Sequence, residues 1–212
     1  DPHGLYGEPT PASIEAMAAD RLPLILERHK GGPILLGGYC NGALVAFEAA
    51  RLLIAAGHKV DLVALVDPPT IAARPAPRAI IGLMKPIVSR RFLRWMYEQM
   101  AQLERYANAR SRERNAIVKG EFLPALWDAY SIAMAQYLPA PLEVPVTFYA
   151  AEHDGRAWRH LSPQVEVLQV PGGHGGCLTI GADPLVDHLR QRIDALGIDA
   201  PADAMLPRKS AA

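Results

Sequence analysis

Cys40, His174 and two aspartates, Asp67 and Asp154, are the residues whose types and positions could do covalent chemistry. Cys40 is the centre of Gly38-Tyr39-Cys40-Asn41-Gly42, with the apolar run Ile34, Leu35, Leu36 before it and Ala43, Leu44, Val45, Ala46, Phe47 after it. This pattern predicts a buried strand, a tight turn and a buried helix, the context of a nucleophile elbow. Gly38 and Gly42 are expected to let strand and helix approach while the thiol projects from the apex. A cysteine is a nucleophile when it is thiolate, which the positive end of the following helix and a nearby imidazolium both favour.

His174 is the best candidate for that imidazole. It lies in Pro171-Gly172-Gly173-His174-Gly175-Gly176, a glycine-rich loop after the last apolar strand, and the chain order nucleophile, acid, histidine fits an elbow fold. Asp67 and Asp154 both follow strands, and either could hold the histidine tautomer and stabilise its cation. Asp67 comes straight after a clean apolar run, whereas Asp154 sits in a polar Glu-His-Asp-Gly turn, so Asp67 is the stronger choice. The backbone N–H of Asn41, the residue after the nucleophile, would donate to an oxyanion. A second donor is expected from a loop near the start of the sheet, and no segment of this sequence supplies one. His3, His29, His58, His153, His160 and His188 show no metal-ligand spacing among themselves or with the cysteines, so no metal site is expected. Cys177 reads as a packing residue.

The elements that must position these groups alternate. Thr10-Pro11 is expected to cap an amphipathic helix running to about residue 28, with a kink at Pro23. Strands are expected near 34–36, 60–66, 144–150 and 165–170, with the elbow helix running to Ala56 and a closing helix over 184–196. Strand, helix and strand joined by short connections mean parallel pairing and an α/β fold. Residues 73–140 carry helical patterns without a convincing strand and read as a lid over the sheet edge. Between Arg74 and Lys119 there are eleven Arg and Lys residues against three acids. Solvated helix faces explain such a run, and so does a docking surface for an acidic partner.

With 212 residues, half of them apolar, the chain reads as one domain over 1–212. Zero formal net charge gives no reason to expect nucleic acid. Two cysteines are too few for a disulfide framework and suit a reducing, cytoplasmic setting. No run of about 18 apolar residues suggests a membrane span, and no leader pattern is present.

Taken together, these segments resemble the thioesterase domains of nonribosomal peptide and polyketide synthases and their free-standing type II relatives, within the α/β-hydrolases. The resemblance is carried by Ser-Ile-Glu-Ala-Met-Ala-Ala-Asp at 13–20, Gly-Pro-Ile-Leu-Leu-Gly-Gly-Tyr-Cys-Asn-Gly at 32–42 and Ala-Phe-Glu-Ala-Ala-Arg-Leu-Leu at 46–53. Leu-Val-Asp-Pro-Pro at 65–69 and Val-Pro-Gly-Gly-His at 170–174 complete it. It implies an α/β-hydrolase fold, a mostly parallel sheet flanked by helices with a helical lid insertion, whose first strands are expected to precede residue 1. It also implies a Cys40, Asp67, His174 triad, with cysteine where most members have serine. The implied activity is release of an acyl or peptidyl chain by hydrolysis or cyclisation. The substrate would be presented on the phosphopantetheine of an acidic carrier protein docking on the basic lid, with no cofactor bound by the domain itself. Three alternatives stand beside this: a dienelactone hydrolase-like cysteine esterase or lactonase, whose acid comes from the later strand; a non-catalytic hydrolase-fold binding domain; and a serine enzyme with cysteine introduced at the apex.

Overall fold

The computed structural model describes residues 11–69, 83, 130, 133, 134, 137–153 and 155–197. Strands β1 (Ile34–Tyr39), β2 (Val60–Val66), β3 (Val146–Ala150) and β4 (Val165–Gln169) form a parallel sheet in the order β1-β2-β3-β4. Helices α1 (Ile14–Arg28) and α2 (Asn41–Ala55) pack against each other. A 3-10 turn (Gly155–His160), a single helical turn α3 (Gly173–Gly176) and helix α4 (Ala182–Ala195) complete the described elements.

β2 and β3 are largely apolar and buried because both faces of the sheet are covered there, whereas β4, last in the order, carries Glu166 and Gln169. Val63 and Leu65 of β2 and Phe148 of β3 enter one cluster, with Ile14 and Met17 of α1 and Leu44, Phe47 and Leu53 of α2. Trp158 closes that cluster, edge-on to Phe47 at a centroid distance of 5.1 Å. Their neighbours Ala64, Val66 and Tyr149 point to the opposite face, where Val170, Cys177 and Leu185 cover them. Period-two alternation of side chains makes this division.

Two local expectations are corrected. The cap of α1 is Ser13, whose Oγ accepts from the Ala16 N–H at 3.1 Å; a hydroxyl three residues before the N–H it satisfies is the favoured geometry, and Thr10 lies outside the described residues. The glycine-rich stretch expected as a loop contains the helical turn α3. Gly172 and Gly173 make this turn possible with φ of 98° and 61°, a region that residues with a Cβ avoid.

Most of the expected lid lies outside the described residues, including Arg90, Arg91 and Arg94. Ala133 and Tyr137 belong to the core, and the Tyr137 hydroxyl donates to buried Glu48 of α2 at 3.0 Å. Glu48 also accepts from Arg51, so its charge is both paired and hydrogen-bonded inside the fold.

Candidate active site

Strand register brings the site together. Tyr39 of β1 lies beside Val66 of β2, and Val66 beside Tyr149 of β3. One residue further along the first two strands, Cys40 N–H donates to Val66 O and Asp67 N–H to Tyr149 O, both at 2.9 Å. Cys40 and Asp67 then leave the sheet with positive φ, 53° and 44°, the only non-glycine residues that do so among those described. Such backbone costs on the order of 1–3 kcal/mol per residue and persists where surrounding structure fixes it.

At the elbow the two glycines do different work. A Cβ on Gly38 would lie 2.1 Å from the carbonyl oxygen of Gly42, so strand and helix can approach only if Gly38 has none. Nothing lies within 4 Å of the Cβ position of Gly42 itself, which corrects the expectation that close approach requires both glycines. Asn41 opens α2, where the first backbone N–H groups have no intrahelical acceptor.

Asp67 is fully buried and receives five donors. Its Oδ1 accepts the backbone N–H groups of Ala151, Glu152 and His153 at 2.9, 2.9 and 2.8 Å. Its Oδ2 faces His174 Nδ1 at 2.6 Å and His153 Nδ1 at 2.9 Å. Burial alone would raise the carboxyl pKa. The hydrogen bonds from the Glu152 and His153 backbone, the His174 ring and the Ala151 backbone outweigh it and hold Asp67 well below the usual carboxylate range.

His174 is carried by α3. The ring of Tyr39 stacks on it at 4.9 Å, and the Tyr39 hydroxyl donates to the His174 carbonyl at 2.5 Å. Cys177 Sγ donates to the same carbonyl at 3.3 Å. The Cys40 side chain is the largest influence on the imidazole. With Asp67 it pushes the pKa up to about 9, against the opposing effect of burial.

Sequence reasoning paired His174 with Asp67, and the two are in contact; Asp154 lies outside the described residues. His153 was missed as a site residue. Its only sequence signal was its place in the polar turn after a strand, on the edge where open α/β sheets gather their sites. Asp67, His153 and His174 also form a group that no spacing suggested, with potential ligand atoms within 4.8 Å of one another. Around a tetrahedral metal with bonds of about 2.0–2.1 Å, ligand atoms stand about 3.3 Å apart. The 2.6 and 2.9 Å separations are shorter and are those of hydrogen bonds to a carboxylate oxygen.

A family model described as the thioesterase domain matches residues 2–193. Among curated proteins, the chain is 28% identical over 187 residues to the non-reducing polyketide synthase atnG of Arthrinium sp, covering 79% of this chain and 9% of the synthase. It is 48% identical over 75 residues to the orsellinic acid synthase of Beauveria bassiana, covering 34% of this chain and 3% of that protein. The chain thus spans less than a tenth of the length of either relative. Among solved structures it resembles the NocB thioesterase domain of the nocardicin cluster, with a TM-score of 0.59 and 22% identity over 92% of this chain and 79% of that one. It also resembles the type II thioesterase BorB of the borrelidin cluster, with a TM-score of 0.56 and 19% identity over 89% and 74% of the two chains. The shared architecture is the α/β-hydrolase fold.

Proposed function

The chain belongs to the thioesterase domain family, and from that premise we propose that it releases an acyl chain from a carrier-bound phosphopantetheine thioester through an acyl-enzyme on Cys40. The observation that carries this reading is the 2.6 Å contact of the His174 imidazole with buried Asp67, on a ring whose pKa the Cys40 side chain also raises.

His174, its pKa raised to about 9, holds a proton in the resting site, and a cysteine reacts as its thiolate. Cys40 Sγ attacks the thioester carbonyl, and the Asn41 N–H donates to the oxygen that becomes negative. The tetrahedral intermediate collapses by breaking the bond to the pantetheine sulfur, which takes the proton from His174 and leaves as a thiol. Cys40 is then a neutral thioester and no longer accepts a proton from the imidazole. The largest influence that raised His174 is gone, burial now favours the neutral ring, and His174 becomes the base for the second half-reaction. It removes a proton from water or from an internal nucleophile of the acyl chain, and the chain is released by hydrolysis or cyclisation. Because one thioester has been exchanged for another, the intermediate keeps its reactivity toward amines as well as water.

The dienelactone hydrolase alternative takes its acid from the later strand; the 2.6 Å contact of His174 with Asp67 favours the synthase-type arrangement. The test is mass spectrometry of the intact protein with a panel of acyl-pantetheine thioesters. An acyl adduct on Cys40, absent in Cys40→Ala along with product release, is expected. Product release retained by Cys40→Ala overturns the proposal.

A further inference from the structure

The second imidazole on Asp67 has no role in the steps above. His153 Nδ1 and His174 Nδ1 both address one oxygen, Oδ2, of a carboxylate that is ionised throughout the neutral range. An anionic oxygen accepts and cannot donate, so each ring presents Nδ1–H to it. The two rings meet edge to face, with centroids 5.3 Å apart and planes at 88°.

His153 is not needed to aim the carboxylate. The other oxygen, Oδ1, is fixed by three backbone N–H groups from 151–153, and those bonds survive replacement of the His153 side chain. What the side chain adds is a competing donor on the oxygen that holds His174. A carboxylate oxygen shared between two N–H groups gives each a weaker bond than it would give one alone.

We propose that His153 is a positioning residue that weakens the grip of Asp67 on His174 by sharing its Oδ2. The proposal rests on the reading of His174 as the base that follows acylation. A base held too tightly by its acid retains its proton when it should accept one from water, so a shared oxygen keeps His174 usable near neutral pH. The groups facing His174 are Cys40 and Tyr39 from the elbow, Asp67 from the end of β2, Glu152 and His153 from the turn after β3, and Cys177 from its own segment. Glu152 accepts the His174 backbone N–H at 3.3 Å, and burial, its largest influence, pushes the Tyr39 phenol up to about 12. His153 is thus the neighbour whose removal changes the Asp67 bond at Oδ2 while leaving the three backbone bonds at Oδ1 in place.

The test uses His153→Ala and, as a variant that keeps an N–H donor, His153→Gln. NMR titration of the His174 ring is expected to show its pKa raised by about half a unit to one unit in His153→Ala, with partial return in His153→Gln. The acid limb of kcat is expected to move up by the same amount, lowering kcat on that limb by up to about threefold to tenfold with recovery at higher pH. A His174 pKa that stays put or falls in His153→Ala overturns the proposal, and so does an equal loss of kcat at every pH. His174→Ala separates the two levels of inference. If it keeps full turnover, the mechanism fails, whereas the NMR titration reads the effect of His153 without any turnover.

Discussion

Replacing Asp67 with asparagine isolates charge and tautomer from architecture. The amide would keep an oxygen for the three backbone N–H groups that Oδ1 accepts at 2.8–2.9 Å, so the turn after β3 should hold. At the Oδ2 position it would place an N–H, a donor, against two rings that now donate at 2.6 and 2.9 Å. Both imidazoles must then turn their lone pairs to Nδ1. His174 would carry its hydrogen on Nε2 and could not accept a proton there. In serine triads this wrong-tautomer effect costs about 10⁴-fold in kcat.

Electrostatics adds a second signature. Opposite charges about 4 Å apart are worth about 4 kcal/mol at an effective dielectric near 20, equivalent to about three pKa units. Asp67 ranks behind Cys40 among the groups that raise His174, and the ring is 29% exposed, so about one to two units should be lost after screening. Because the folded pKa is raised, His174 is protonated below about 9 and loses its proton as pH rises through that value. The alkaline limb of kcat/KM for a small acyl-pantetheine thioester should therefore fall near pH 9 in the natural sequence and about one to two units lower in Asp67→Asn. Cys40 can still be acylated slowly while deacylation fails, so rapid-quench mass spectrometry should find acyl-enzyme accumulating, with kcat down by about 10²- to 10⁴-fold. Activity within tenfold of the natural sequence and an unmoved alkaline limb would refute this assignment, as would a larger loss from Asp154→Asn.

Two further expectations are simpler. Gly38→Ala should force strand and helix apart, since its Cβ would lie 2.1 Å from a backbone oxygen; a loss of about 3 kcal/mol or more, seen as a fall of roughly 6–12 °C in Tm, is expected along with activity, whereas Gly42→Ala should change stability by about 1 kcal/mol or less. Charge reversal at Arg90, Arg91 and Arg94 should slow turnover of a carrier-linked substrate at low salt but not of a free pantetheine thioester, because steering of an acidic partner by a basic segment is long-range and screened by salt; equal rates at all salt concentrations would count against docking of an acidic carrier on this segment.

The sequence was most legible where one physical cause acted locally. Covered faces made β2 and β3 continuous apolar runs, so Asp67 could be read as the residue ending a parallel strand. The elbow was legible because a cysteine between glycines after such a run has few other uses. What stayed hidden depends on contacts across the chain or on backbone that composition misdescribes. His153 reaches Asp67 across 86 residues, and nothing in its neighbours signals a shared oxygen. Glycines 172, 173, 175 and 176 argue for an open loop on propensity, yet positive φ at the first two starts a helical turn and aims His174. The unequal roles of Gly38 and Gly42 emerge only when the helix is laid against the strand.

The arrangement explains why the acid is followed so closely by backbone constraint. Parallel strands stand about 4.8 Å apart, so the residues that end β1 and β2 in register, Cys40 and Asp67, begin as near neighbours on one edge. A thiolate and a carboxylate left side by side there would repel, and the thiolate would be disfavoured. The backbone N–H groups of 151–153 hold the Asp67 charge on the β3 side and, together with the His174 ring, draw its pKa down against burial. His174, entering from α3, then meets Asp67 at 2.6 Å with an imidazole whose pKa is raised, first by the Cys40 side chain and then by Asp67. The charge on Asp67 is thereby used twice, first to fold the turn after β3 and then to hold the imidazole. A neutral isostere can replace it in the first use but not in the second.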